Sequence, residues 1–161
     1  MENDRRFWWR GRRGEWYVVI QVVLFASIAV GPRNLPGWEF PASLATAIAG
    51  WTLLPVGCAF GLLAVARFGS RLTPLPYPTE GLPLIETGVY RCVRHPMYFA
   101  AIAGGTGWGL LREGWLILFY TALLFVLFEL KSRREEAWLL ARYPDYAAYR
   151  RRVRKLIPFV Y

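Results

Sequence analysis

The run WLILFYTALLFVLFELKSRREEAWLLAR, residues 115–142, decides the fold of this chain. It is strongly apolar and aromatic as far as Leu130, and it turns charged from Lys131 onward. At a rise of ~1.5 Å per residue, a helix of this length exceeds the ~30 Å hydrocarbon core of a bilayer. We therefore predict a helix that crosses a membrane and continues past its surface to about Arg142.

Three further apolar blocks precede this run, and we expect membrane helices at about 16–31, 42–66 and 97–111. The first is barely long enough to span, and the second offers small residues for close helix packing. A tight turn at 112–114 separates the segment 97–111 from the run 115–142, so these two should form a helical hairpin. The predicted fold class is an all-α integral membrane protein with about four transmembrane helices.

Composition and charge agree with a membrane protein. Hydrophobic residues make up 55% of the 161 residues, and they are concentrated in long blocks. The net charge is +9, yet with four crossings all but two of the 20 basic residues fall on one side; the exceptions are Arg33 and Arg112. The positive-inside rule then predicts a multi-pass protein of a bacterial-type inner (plasma) membrane with both termini in the cytoplasm. This distribution explains the basicity without nucleic acid as a partner.

The end of the chain predicts a surface helix that begins at Pro144. Tyr146, Tyr149, Val153 and Leu156 would share one face, and basic residues would cover the rest. Such a pattern is typical of a helix lying on an anionic membrane surface. One histidine and two scattered cysteines offer no metal set, so no metal cofactor is expected.

The segment 67–96 is rich in proline and glycine, which rules out a long helix. It is too long for a mere connection, and its aliphatic and aromatic content disfavours disorder. Together with the C-terminal helices it is predicted to form a cytoplasmic cofactor pocket.

Two segments of the chain are expected to place polar residues at the cytoplasmic edge of the membrane. The stretch 82–98 carries Tyr90, Arg94, His95 and Tyr98, whereas the 131–142 extension carries a glutamate pair with Lys131 and Arg142. Such a site would hold a proton donor or acceptor near neutral pH, carboxylates for a cation and bases for an anion. That set suits an enzyme that joins a soluble cosubstrate to a lipid-like substrate.

At these residues the chain resembles the isoprenylcysteine carboxyl methyltransferase and phospholipid methyltransferase superfamily. The matching motifs are Thr87-Gly88-Val89-Tyr90-x-x-x-Arg94-His95-Pro96-x-Tyr98, Glu135-Glu136-x-x-Leu139, Tyr143-x-x-Tyr146-x-x-Tyr149-x-x-x-Val153 and Ile157-Pro158. The resemblance covers about half of the chain, and it implies a single membrane methyltransferase domain over 1–161 with its catalytic region at 82–158.

The resemblance implies an enzyme that uses S-adenosylmethionine without a Rossmann fold. Carried over from the family, the cosubstrate contacts fall on Leu82, Pro83, Leu84, Ile85, Tyr90, His95, Pro96, Met97, Tyr98 and Glu135. The family's substrate-contacting arginine is replaced by Lys131, and Arg142 is a second candidate for that contact. Two further departures are Ala100, where glycine is common, and a shortened element at 143–146.

Methyl transfer is an in-line displacement on a sulfonium, for which positioning and exclusion of water supply most of the rate. The candidate catalytic residues are Arg94, His95 and Glu136. A cation such as Arg94 would orient a carboxylate acceptor, whereas Glu136 would serve an amine acceptor. His95 is interpreted as a binding and positioning group.

Two other functions stay open at this point, namely an NADPH-dependent reductase of the sterol-reductase kind and a non-enzymatic membrane scaffold. The glutamate pair favours a cationic cosubstrate over the phosphates of NADPH. The acceptor is expected to be lipophilic, either an isoprenylcysteine-like carboxylate or a phospholipid amine. The sequence leaves the oligomeric state open.

Overall fold

The computed structural model describes residues 14–68 and 84–161. Within these ranges the chain is all-α, as predicted, and contains no named β-strand. The helices are α1 Glu15–Val30, α2 Leu44–Phe68, α3 Pro96–Leu111, α4 Trp115–Arg142 and α5 Tyr146–Arg152, with a 3-10 turn at Gly88–Arg91. The first four begin and end within two residues of the predicted membrane segments.

Helices α2 and α4 are long and apolar enough to cross a membrane, by length and composition. Helix α1 is apolar but shorter, and α3 has 16 residues. Large apolar side chains on α2, including Trp51 and Leu62, are exposed. A bilayer would cover such a surface in a membrane protein.

Helix α2 packs closely on α3 through glycines. A Cβ atom on Gly57 would lie 2.7 Å from the backbone nitrogen of Gly104, and one on Gly107 would lie 2.6 Å from that of Leu54. Any side chain at these positions would force the backbones apart. The predicted close-packing role of the small residues in the second block is therefore confirmed.

Helices α3 and α4 form the predicted hairpin. The loop after α1 is hydrogen-bonded to the turn of this hairpin. Asn34 donates a hydrogen bond to the carbonyl of Glu113 and accepts one from the backbone N–H of Trp115, both at 2.8 Å. The two short loops with Arg33 and Arg112 thus lie at the same end of the bundle.

The C-terminal segment folds back on the other end. Val93 forms a parallel bridge with Arg154, and the N–H groups of Arg94 and His95 donate to the carbonyls of Arg154 and Lys155 at 2.8 and 3.1 Å. These contacts fix the polar stretch before α3 against residues more than fifty positions later.

The predicted surface helix is wrong in two respects. Helix α5 has only seven residues, so Val153 and Leu156 lie beyond it. Its apolar face does not point to lipid, because Tyr146 and Tyr149 are buried inside the protein. The hydroxyl of Tyr149 donates to the carbonyl of Tyr90 at 2.6 Å, so the stretch before α3 covers the face that the sequence assigned to a membrane.

Candidate active site

His95 is the N-cap residue of α3, with Pro96 in the first turn. Proline suits that position because its missing N–H would have no helical partner there. The imidazole is buried, and its Nε2 lies 3.1 Å from Oε1 of Glu136 while its Nδ1 lies 3.6 Å from Oε2 of Glu135. The fold therefore brings together the glutamate pair Glu135-Glu136 and the motif Arg94-His95-Pro96-x-Tyr98, here called the histidine box, as the sequence suggested.

Tyr98 lies one turn after His95 and completes this cluster. Its hydroxyl donates to Oε2 of Glu135 at 3.0 Å. Its ring stacks between those of His95 and Phe128, with centroid distances of 5.2 and 4.3 Å. The stack fixes the phenol, and with it one oxygen of Glu135. We call His95, Tyr98 and Glu135 the histidine cluster.

The two glutamates have different surroundings. Glu136 accepts from Nε of Arg94 at 2.8 Å, and its second oxygen lies 3.3 Å from Nε of Arg150. Only 4% of its side chain is exposed, compared with 28% for Glu135. Both oxygens of Glu136 are thus held by the protein, whereas Glu135 has an accessible edge that can meet a ligand.

Arg94 is largely buried, and its guanidinium has several partners within the protein. Besides Glu136, its guanidinium donates to the carbonyls of Arg150, at 3.0 Å, and Val153. Its side chain is 8% exposed. These contacts join the C-terminal segment to α4, so Arg94 and Glu136 form a buried clamp next to the histidine cluster.

Lys131 belongs to the floor of the site. It is 2% exposed, donates to Oε1 of Gln21 on α1 at 2.7 Å, and has its Nζ 5.4 Å from the centre of the Tyr98 ring. Sequence reasoning missed Gln21. The available signal was a lone amide in an apolar block, because a polar group in such a position normally has a partner.

The remaining predicted residues spread over the same end of the molecule. Tyr90 is buried under α5, and burial raises the pKa of its phenol above the ordinary value. Leu84, Ile85 and Met97 are half-buried, whereas Leu82 and Pro83 lie outside the described residues. Arg142 is not brought into the cluster: it is exposed and lies about 16 Å from Lys131 along α4.

Sequence reasoning also missed a cavity of about 530 Å³ between α4 and the C-terminal segment. We call it the arginine cavity. Its lining includes Glu136 and Arg94 but none of the histidine cluster. The other lining residues are Glu129, Arg133, Ala137, Leu140, Arg150, Arg151, Val153, Arg154, Lys155, Val160 and Tyr161.

Across residues 14–68 and 84–161, no group of three or more histidine, cysteine, aspartate or glutamate side chains could hold a metal ion.

Comparison with known proteins agrees with the motifs. The sequence profile of the phospholipid methyltransferase family matches residues 45–146, a range that contains nearly all of α2, the histidine box and the glutamate pair.

Two curated bacterial proteins are similar over most of the chain. The cobalt-zinc-cadmium resistance protein CzcN of Cupriavidus metallidurans is 29% identical over 151 residues, which are 92% of this chain and 64% of that protein. The nickel-cobalt-cadmium resistance protein NccN of Alcaligenes xylosoxydans xylosoxydans is 31% identical over 150 residues, again 92% of this chain and 65% of the relative. The chain thus spans slightly less than two thirds of the length of each.

Proposed function

The chain belongs to the phospholipid methyltransferase family, and on that premise we propose that it transfers a methyl group from S-adenosylmethionine to a lipophilic acceptor at the membrane–cytosol interface. One observation carries the proposal. A partly exposed carboxylate, Glu135, is held by Tyr98 and His95, which lie about 40 residues earlier in the chain.

The histidine cluster fits the cosubstrate in charge. S-adenosylmethionine supplies an activated methyl group on a sulfonium and also carries an α-amino group. Glu135 would pair with that amine through its accessible edge, and Tyr98 and His95 would hydrogen-bond polar groups beside it. Backbone groups of Leu84 and Ile85, with the preceding Leu82 and Pro83, are proposed to meet the adenine.

Arg94 and Glu136 are proposed to act through their neighbours. Because both are buried and mutually paired, their contribution is to fix the position of His95 and of the C-terminal segment. Lys131 is proposed to support the Tyr98 ring, because its Nζ lies 5.4 Å from the centre of that ring. A substrate contact from Lys131 or Arg142 stays a prediction.

The position of the cluster favours a lipid-like acceptor. Helix α4 changes from apolar to charged at Lys131, about 6 Å before Glu135 along the axis. The two apolar helices and the family assignment indicate a membrane protein, so the cluster would lie at the edge of the bilayer. An isoprenylcysteine-like carboxylate and a phospholipid amine both suit that place, with the site facing the cytosol.

The test is a product screen. Purified protein in nanodiscs is incubated with methyl-labelled S-adenosylmethionine and, separately, phosphatidylethanolamine or a prenylcysteine analogue, and products are identified by mass spectrometry. We expect one acceptor to be labelled, and we expect His95→Ala and Glu135→Ala to lower labelling at least about 100-fold, since proximity and orientation supply much of the rate.

A matched control is Glu39→Gln. This glutamate is exposed at the opposite end of the bundle, where its backbone carbonyl accepts a hydrogen bond from the indole N–H of Trp115. The control should keep full labelling. Full activity of both His95→Ala and Glu135→Ala would refute the site, and binding of NADPH instead of S-adenosylmethionine would refute the reaction.

The relatives suggest a physiological setting, because both are named as resistance proteins against cobalt and cadmium, together with zinc or nickel. We propose that this chain contributes to such resistance through methyl transfer at the histidine cluster. Growth of a deletion strain in cobalt, zinc or cadmium should be rescued by the wild-type chain and by Glu39→Gln. Equal rescue by Glu135→Ala would separate resistance from the cluster.

A further inference from the structure

The arginine cavity has an excess of positive charge that methyl transfer does not use. Six of its lining side chains are cations, and two are carboxylates. Glu129 is held by Arg133 at 2.7 Å and by Lys155 at 2.8 Å, and Glu136 is held by the clamp. The carboxylates are therefore neutralised from within the protein.

Two arginines are left for a ligand. Arg151 and Arg154 are exposed on the cavity wall, and within the described part of the chain neither makes an ion pair. Arg150 lies on the same wall, where its Nε is 3.3 Å from Oε2 of Glu136. Guanidinium groups match the geometry of phosphate oxygens and bind them through paired, charge-assisted hydrogen bonds.

The size and the position of the cavity fit a phosphate-bearing molecule. A volume of about 530 Å³ lies within the range of small-ligand sites. The lining follows α4 from Glu129, in its apolar part, to Leu140, in its charged extension. With α4 crossing a bilayer through its apolar part, this lining would lie near the level of the phospholipid phosphates, where it could also meet a soluble phosphate.

From this arrangement we propose that the arginine cavity binds the phosphate group of an anionic ligand, at a site separate from the histidine cluster. The phosphate can come from an anionic phospholipid or from a soluble phosphate monoester. Binding at this site does not depend on the methyl-transfer reaction.

The experiment compares two probes on the purified full chain. Native mass spectrometry counts phosphatidylglycerol retained from mixed micelles, with phosphatidylcholine as the reference lipid, and calorimetry measures glycerol 3-phosphate. The test variant is Arg151→Gln/Arg154→Gln, which changes only exposed side chains. The control is Arg91→Gln/Arg152→Gln, which removes the same charge from exposed residues at the same end but outside the cavity.

We expect preferential retention of phosphatidylglycerol or measurable binding of glycerol 3-phosphate, and an affinity about tenfold lower in the cavity variant than in the control. Preference for phosphatidylglycerol identifies an anionic lipid as the ligand, and binding of glycerol 3-phosphate without lipid preference identifies a soluble phosphate. Equal binding by the two double variants with both probes, or no binding by the wild-type chain, would overturn the proposal.

Discussion

The neighbouring glutamates of α4 serve two different regions of the molecule. Glu135 lies among stacked rings with part of its carboxylate accessible, whereas Glu136 is enclosed by Arg94, His95 and Arg150 on the side of the arginine cavity. Successive residues of an α-helix point about 100° apart, so one residue decides which region a side chain serves. The histidine cluster suits a cation and the arginine cavity suits an anion. Glu136 lies between them, because it contacts His95 and also lines the cavity.

The largest effect on stability is expected from removal of the Glu136 side chain. Glu136→Ala leaves the buried guanidinium of Arg94 without its carboxylate, and a broken buried pair costs about 3–5 kcal/mol. The unfolding temperature in detergent should fall strongly. Binding of S-adenosylmethionine and binding of phosphate should both be lost. The control Glu135→Ala should unfold near the wild-type temperature, because that carboxylate is partly exposed. Equal unfolding temperatures for the two variants would contradict the clamp.

The support of the histidine cluster can be broken from α1. Gln21→Leu removes the amide oxygen that accepts from the buried ammonium of Lys131, at a cost of about 1–3 kcal/mol. The double variant Gln21→Leu/Lys131→Met removes both polar groups and should be less destabilised than the sum of the single variants. Denaturant unfolding of the four proteins provides the cycle. Additive losses would show that the two side chains are not coupled.

The smallest effect sharpens the contrast between the regions. Tyr98→Phe keeps the ring stack but removes the hydrogen bond to Glu135, which is worth about 1 kcal/mol. Calorimetry should show S-adenosylmethionine binding weakened about fivefold, with retention of phosphatidylglycerol unchanged. A parallel loss of both would mean that the regions are one site.

Much of this architecture could be read from the sequence. The apolar blocks determine the first four helices, and the turn at 112–114 determines the hairpin. The order of the histidine box and the glutamate pair predicted the family and placed His95, Tyr98 and Glu135 together. The helices and the hairpin depend on local composition and spacing, which a sequence displays directly, whereas the meeting of the cluster was predicted from the topology and the family resemblance.

The prediction for the C-terminal helix was wrong because the sequence does not show what covers the apolar face of a helix. The apolar side of α5 fits lipid or protein equally well by pattern, and only the fold shows that the stretch around Tyr90 covers it. An amphipathic pattern specifies that a face is buried but not what buries it.

What the sequence by itself determined is the set of helices and the residues that carry the chemistry. The tertiary structure alone decided that Glu135 is open while Glu136 is clamped, that Gln21 meets Lys131, and that basic residues line a cavity. The physical reason is that these relations depend on how each helix is rotated about its axis and on contacts across 40 or more residues. Packing of the whole bundle sets both, and no local pattern encodes them.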